Sequence, residues 1–343
     1  MIKRTLHRLS LRAERLYDRF FHRTGAGREI DPYIGYATPE GVVLRGRVLS
    51  HLHRDAPLKT QSKLANLRDM FELFLTDEVA DAEVRSGSVT TRTDEEGYFT
   101  LHLPRDLTPG WTSRAVTVED GPEVACPVMI PREDAAFIVI SDIDDTMLRT
   151  GAYSLIKNLY TSFTGNSATR EVFSDSIDLM QDLHDGGRNP VFYVSSSPWN
   201  LHDFLSDIFD NTGLVKGPMF LRDLGLSETK FITEGHGNHK GASIDTILAA
   251  NPDLPAILLG DTGQHDAQIY RDVIDRHPGR IRAVGLRAPG PGLDAADRHD
   301  LAALSDTEVT VFSGPDFTGF SESVKTAHPD LFEQPAPVQK AAQ

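Results

Sequence analysis

The chain has 343 residues, enough for about two domains. Hydrophobic residues make up 39% and charged residues 25%, which suits a folded chain and excludes global disorder. The formal charge of −15 disfavours general nucleic-acid binding, and one cysteine, Cys126, excludes a disulfide framework, a zinc ribbon, a Cys-x-x-Cys redox pair and a thiolate phosphatase motif. No apolar run approaches ~18 residues, and the N-terminus lacks the apolar stretch of a secretory signal, so a cytoplasmic protein without a transmembrane helix is expected.

Residues 1–25 break the acidic trend. They carry seven Lys and Arg residues against Glu14 and Asp18, a local charge of +5 that leaves the remainder at −20. Leu6, Leu9, Ala13, Leu16, Tyr17, Phe20 and Phe21 recur at helical spacing between the arginines. The spacing predicts a basic amphipathic helix over residues 1–28. It has two readings: a helix packed on the body of its own chain, or one lying peripherally on an anionic membrane surface.

Residues 29–132 read as a β-rich, sandwich-like scaffold or interaction domain whose protein partner the sequence does not name. Residues 41–49 alternate as a strand should. Residues 84–92 and 98–103 flank the acidic turn Thr93-Asp-Glu-Glu-Gly97 and predict a hairpin, similar to that of transthyretin-like β-sandwiches. Further strands are expected at 115–118 and 124–130. One helix interrupts, with Ser62 as N-cap and Leu64, Leu67, Phe71 and Phe74 on one face.

Over residues 133–318 apolar runs alternate with helical segments, which predicts an α/β domain with a parallel sheet. Strands are expected at 137–141, 191–195, 218–221, 256–260, 281–286 and 309–312, and helices at 171–183, 201–209, 240–250 and 266–276. Residues 319–343 read as a C-terminal tail, rich in Pro, Ala and Gln at its end.

The polar residues at the expected strand ends carry the chemistry, because ligands of open α/β sheets bind at that edge. The first strand runs into Asp142-Ile-Asp144-Asp145-Thr146. The second ends in Ser195-Ser196-Ser197, whose hydroxyls and backbone N–H groups suit phosphate oxygens. Lys240 opens a helix, where its ammonium can neutralise phosphate and neighbouring carboxylates. The strand at 256–260 runs into Asp261, with Asp266 behind it. Carboxylates gathered in this way repel one another unless a cation joins them, and all-oxygen donors point to Mg²⁺. A zinc site built on His236, His239 and His265 is a weaker alternative, because the aspartates already make a complete hard-metal site.

The order Asp-x-Asp-x-Thr, strand-end Ser, Lys, Gly-Asp-x-x-x-x-Asp resembles the four motifs of the haloacid dehalogenase-like superfamily. The strings Asp142-Ile-Asp-Asp-Thr-Met-Leu-Arg-Thr150, Ser195-Ser-Ser-Pro-Trp-Asn-Leu201, Gly217-Pro-Met-Phe-Leu-Arg-Asp223 and Gly260-Asp-Thr-Gly-Gln-His-Asp-Ala-Gln-Ile-Tyr270 are similar to the catalytic domain of the actin-patch-associated phosphatidate phosphatase family. The resemblance spans about residues 135–290 and implies a haloacid dehalogenase-like Rossmannoid fold. It also implies an aspartyl-phosphate mechanism: Asp142 as nucleophile, Asp144 as general acid and base, and Mg²⁺ on Asp142, the backbone carbonyl of Asp144 and Asp261. Ser195, Ser196 and Lys240 would hold the phosphate, with Thr146 and Asp266 in support. Only about 40 residues separate Thr150 from Val191, which leaves little or no room for a cap. The implied open site suits a phosphate carried on a phospholipid at a membrane, so phosphatidate hydrolysis is expected. A phosphatase for sugar phosphates, nucleotides or nucleic-acid ends and a non-catalytic membrane or protein interaction module are the competing readings.

Overall fold

The computed structural model describes residues 28–50, 78–104, 108–149, 172–222, 236–263, 265–288 and 295–333. The basic segment 1–27, the helix expected at 62–74 and residues 334–343 lie outside the described residues.

Eight strands come first: β1 (Glu29–Pro32), β2 (Gly35–Ala37), β3 (Gly41–Leu49), β4 (Glu83–Ser86), β5 (Val89–Arg92), β6 (Tyr98–Pro104), β7 (Gly110–Val118) and β8 (Val124–Ile130). They form a curled sheet in the order β1-β3-β2-β8-β7-β4-β5, with β6 paired to β3. In β6, Phe99, Leu101 and Leu103 point inward while Thr100, His102 and Pro104 point to solvent, the period-2 pattern of a sheet with one wet face. The inward residues meet Ile30, Val42, Leu44, Val48, Val84, Val116, Cys126 and Val128 in one apolar core. Cys126 is a buried packing residue there.

The hairpin expected between 84–92 and 98–103 is corrected. Residues 84–92 are themselves a hairpin, because Gly87 adopts a positive φ of 58° and turns β4 back onto β5, closing at Ser86↔Val89. β6 pairs instead with β3, from Gly41↔Pro104 to Arg47↔Tyr98.

The second sheet is entirely parallel: β9 (Ile138–Ser141), β10 (Val191–Pro198), β11 (Met219–Arg222), β12 (Ala256–Asp261), β13 (Ile281–Arg287) and β14 (Thr310–Gly314), in the order β11-β10-β9-β12-β13-β14. Six helices accompany it among the described residues: α1 (Ser174–His184), α2 (His202–Thr212), α3 (His236–Ala250), α4 (Asp266–Arg276), α5 (Ala295–Ser305) and α6 (Phe320–Ala327). Successive strand residues face opposite layers. Val139, Tyr193 and Leu259 pack with Leu183 of α1, Phe209 of α2 and Phe320 of α6. Ile138, Ile140, Phe192 and Leu258 pack with Ile247 of α3, Val273 of α4 and Leu304 of α5. Cover on both faces explains the continuous apolar strand sequences.

Residues 320–331, expected to belong to a tail, are part of this body. Phe320, Val324 and Leu331 are buried in the same core as α1 and α2, and the i, i+4 spacing of Phe320 and Val324 in the eight-residue α6 was the available signal. The two sheets share a further cluster. Tyr36, Val43 and Met129 of the first sheet pack with Phe192 and Phe220 of the second, and the Tyr36 and Phe220 ring centroids are 5.3 Å apart. Strand β3 is therefore buried along both faces.

Gly217, just before β11, lies so close to β10 that a Cβ there would overlap the Val191 carbonyl group. Backbone cannot yield as a side-chain tip can. Gly217→Ala is expected to destabilise the fold by about 3 kcal/mol, read as a lower urea midpoint at unchanged m-value.

Candidate active site

The parallel sheet places its polar strand ends together. From β9 the chain steps outward through β10 and β11, then returns to β12 on the other side of β9 and proceeds to β13 and β14. The carboxyl ends of β9 and β12 thus flank a topological switch point, the place where open α/β sheets bind ligands. Asp142 leaves β9 there, its N–H donating to Leu259 O at 2.8 Å, and Asp261 ends β12.

The loop after Asp142 is tightly wound. Met147 N and Leu148 N both donate to Ile143 O, at 2.9 and 3.0 Å, and Asp145 turns through a positive φ of 56°. This winding carries the Thr146 hydroxyl back to donate to Asp142 Oδ2 at 3.1 Å. Thr146 therefore sets the plane of the Asp142 carboxylate.

Asp142, Asp261 and Asp266 bring carboxylate oxygens within 4.8 Å of one another, all buried. Lys240, in α3, is buried among them. Its Nζ lies 3.0 Å from Asp142 Oδ1 and donates a short hydrogen bond to Asp266 Oδ1. Burial alone would lower the Lys240 pKa, but Asp142, Asp266 and Asp261 outweigh it and hold the ammonium charged, well above the usual lysine range. Burial raises Asp142 well above the ordinary carboxylate range, with Lys240 opposing and Asp266 and Asp144 reinforcing the shift. Burial likewise raises Asp261, reinforced by Asp266 and Asp142. One ammonium does not balance this group of acids.

The acids are not equivalent. Both oxygens of Asp266 are engaged: Oδ1 by Lys240, and Oδ2 by the N–H of Asp261 at 3.2 Å. Oδ2 of Asp261 is buried without a hydrogen-bond partner, and Oδ1 of Asp142 makes no hydrogen bond beside its 3.0 Å ion pair with Lys240. Buried, unsatisfied carboxylate oxygens are costly unless something else coordinates them. Asp142 and Asp261 could thus hold a divalent cation, and Asp266 accepts a hydrogen bond from Lys240.

Asp144 is buried but stands apart from this group. Its Oδ2 accepts hydrogen bonds from the hydroxyls of Ser195 at 2.9 Å and Ser197 at 2.8 Å, and Ser197 N donates to Ser195 Oγ at 2.9 Å. Ser196 sits between them, half-buried. His265 is exposed in the left-handed region just before α4. A second set of ligand atoms within 4.8 Å, from Asp31, His202 and Asp203, lies where the first sheet meets α2.

Three positions have partners that the motif reading did not give them. Ser197 shares Asp144 with Ser195, and their i, i+2 spacing, which puts both on one face of a strand, was the available signal. Tyr270, buried in α4, donates to Leu259 O at 2.7 Å and floors the cluster. Arg287 ends β13, almost fully buried. Its Nη2 donates to Asp175 Oδ2 at 2.6 Å and Ser176 Oγ at 2.7 Å, and its Nε to Thr146 O at 3.2 Å. The ring of Phe173 lies 3.9 Å from its guanidinium carbon. Arg287 therefore ties the loop after β9 to the start of α1. An arginine at a strand end was the available signal, but its partners are distant in sequence.

Residues 137–288 match the family described as the catalytic domain of phosphatidate phosphatase APP1. That stretch is similar to an APP1-type catalytic domain. Phosphatidate phosphatase APP1 of Saccharomyces cerevisiae is 28% identical over 169 residues, covering 49% of this chain and 28% of the relative. An uncharacterized protein of Schizosaccharomyces pombe is 29% identical over 247 residues, covering 64% of this chain and 38% of the relative. The chain thus spans about a third of the length of these two relatives. A solved carbohydrate acetylesterase from Xanthomonas citri aligns with a TM-score of 0.26 at 11% identity, covering 81% of this chain and 74% of that one, too low to bear on the fold. Asp142, Asp144, Ser195, Lys240, Asp261 and Asp266 all fall inside the APP1-type segment.

Gly260 lets this domain pack its acids. A Cβ there would sit 2.5 Å from Asp266 Oδ2 and 2.7 Å from Tyr270 Oη. Gly260→Ala is expected to push Asp266 off Lys240 and weaken divalent-cation binding roughly tenfold, about 1.4 kcal/mol, measured by calorimetric titration.

Proposed function

We propose that the chain is a Mg²⁺-dependent phosphatidate phosphatase that hydrolyses phosphatidate to diacylglycerol and phosphate through an aspartyl-phosphate on Asp142. One observation carries the reading: Asp142, Asp261 and Asp266 converge on Lys240 at the sheet's switch point, within the APP1-type segment. The parallel strand order around that point supports a haloacid dehalogenase-like Rossmannoid domain with little or no cap.

The donor set fits Mg²⁺, because Oδ2 of Asp261 is buried without a partner, Oδ1 of Asp142 beside it has only an ion pair to share, and the donors are hard. Those two side chains and the backbone carbonyl of Asp144 would hold the ion. When bound, it supplies positive charge that offsets the acids and the phosphoryl group. A carboxylate oxygen of Asp142 attacks phosphorus as the bond to the glycerol oxygen breaks. Asp144, as the carboxylic acid, gives its proton to that departing oxygen. As the carboxylate it then takes a proton from water, whose oxygen attacks phosphorus and frees Asp142 and phosphate. Lys240, the Ser196 hydroxyl and the backbone N–H groups of Ser195 and Ser196 hold the other phosphate oxygens, and Thr146 keeps the Asp142 carboxylate in plane.

None of the helices among the described residues is long and apolar enough to cross a membrane. A phosphatidate substrate must then be met at a surface. The +5 charge of residues 1–25 offsets the −20 of the remainder and favours peripheral contact with anionic lipid.

Asp142→Asn is expected to lower the rate of phosphate release at least about 1000-fold, with phosphatidate in mixed micelles and Mg²⁺ as the assay. Soluble sugar phosphates and nucleotides should be turned over far more slowly by the wild type. Equal rates would shift the substrate to a soluble phosphomonoester.

The raised pKa values of Asp142 and Asp261 give a second test. A carboxyl group whose pKa is higher folded than unfolded contributes stability that is full at low pH and is lost as pH rises through its folded value. The metal-free protein loses that contribution above the ordinary carboxylate range, and a bound cation restores it by pairing with the ionised acids. The rise in Tm on adding millimolar Mg²⁺ should therefore be larger at about pH 8 than at about pH 5, measured by differential scanning calorimetry.

A further inference from the structure

The strand that delivers Ser195 and Ser197 is irregular where it does so. β10 and β11 are in parallel register at Tyr193↔Met219 and Val194↔Phe220, and pairing resumes at Pro198↔Arg222 only after a register shift. The ladder with β11 therefore leaves residues 195–197 without regular support on that side. Beyond them, Pro198 at φ −71° leads into the short 3₁₀ turn Trp199–Leu201. Whatever fixes Trp199 also fixes the end of the serine segment, because a proline with a constrained φ is all that lies between Trp199 and Ser197.

Trp199 is fixed by the N-terminal sheet. Tyr33, between β1 and β2, stacks on it with ring centroids 4.6 Å apart and planes 6° from parallel. Arg45 of β3 places its guanidinium carbon 5.1 Å from the Trp199 ring centroid and 4.3 Å from that of Phe220. Arg45 Nη2 also donates to Met219 O at 2.9 Å. One arginine thus grips both sides of the register shift, β11 through Met219 and Phe220 and the exit of β10 through Trp199. Arg45 Nε is buried without a hydrogen-bond partner. An apolar residue of similar volume would join two sheets at less cost, so a buried cation here serves the position of its neighbours.

We infer that Tyr33 and Arg45 are positioning residues for catalysis: by clamping Trp199 and the start of β11 they hold the Ser195 and Ser197 hydroxyls on Asp144 Oδ2. The N-terminal sheet is then a working part of the active site. This inference rests on the assignment of Asp142 as nucleophile and Asp144 as general acid.

The test uses the full chain with Mg²⁺ and phosphatidate in mixed micelles. Tyr33→Ala and Arg45→Met should each lower kcat ten- to a hundredfold with KM within threefold of wild type. Tyr33→Phe, which keeps the stack, should retain most of kcat. Ser197→Ala should lower kcat, and Tyr33→Ala in that background should add less than a twofold further loss. An unchanged kcat in folded Tyr33→Ala protein, or an undiminished Tyr33→Ala effect beside Ser197→Ala, overturns the inference. If Tyr33→Ala does not fold, Trp199→Phe, which leaves the Arg45–Met219 bond in place, takes its role with the same expected kcat loss and the same cycle. Near-ultraviolet circular dichroism and Tm establish folding in each case. An active Asp142→Asn protein would instead overturn the underlying assignment. Inactive Asp142→Asn protein beside full activity in Tyr33→Ala would defeat the clamp alone.

Discussion

The structure depends on keeping three carboxylates and one ammonium together out of water. Asp142, Asp261 and Asp266 are all buried, and Lys240 is the cation buried with them. Leaving any one of these charges without compensation would be severely destabilising, since a lone buried charge keeps its desolvation penalty and loses its partner. Even together they are unbalanced. That imbalance shows in the raised pKa values of Asp142 and Asp261, and in a Lys240 held firmly protonated. A site left short of positive charge, with Oδ2 of Asp261 buried without a partner, suits a further cation.

Much of the surrounding architecture keeps the four groups in register. β9 and β12 pair directly from Ala256↔Ile138 to Leu259↔Ser141, so Asp142 and Asp261 emerge side by side. Gly260 removes the side chain that would otherwise displace Asp266. Arg287 holds Thr146 through its carbonyl, and Thr146 holds Asp142 through its hydroxyl. A polar chain thus runs from the end of β13 to Asp142, with each link buried and therefore stronger and less tolerant of loss than the same link in water.

The separation of Asp144 from Asp142 follows from the same geometry. Two residues apart on one tight loop, they reach different surroundings: Asp142 faces the β12 side and its acids, and Asp144 faces the hydroxyls of β10. Carboxylates with different neighbours can hold different protonation states, which acid–base work at a phosphate ester requires. The β10 side is also where the N-terminal sheet docks, through Tyr33, Tyr36 and Arg45.

Local pattern in the sequence determined a good deal. Continuous apolar runs announced a sheet covered on both faces, and the polar residues following Ile140, Val194 and Gly260 marked its ligand edge, because strand ends and helix starts are written in neighbouring residues. Asp142, Lys240, Asp261 and Asp266 could be named as companions for the same reason. Only the tertiary structure decided who touches whom. The partner of β6, the burial of α6 and the meeting of Tyr33 with Trp199 depend on contacts between residues far apart in the chain. Arg287 shows the limit most clearly: it reaches Asp175, 112 positions earlier, and nothing local to either residue records the other. Such pairings form only when the packed core brings distant polar groups together and excludes the water that would otherwise satisfy them.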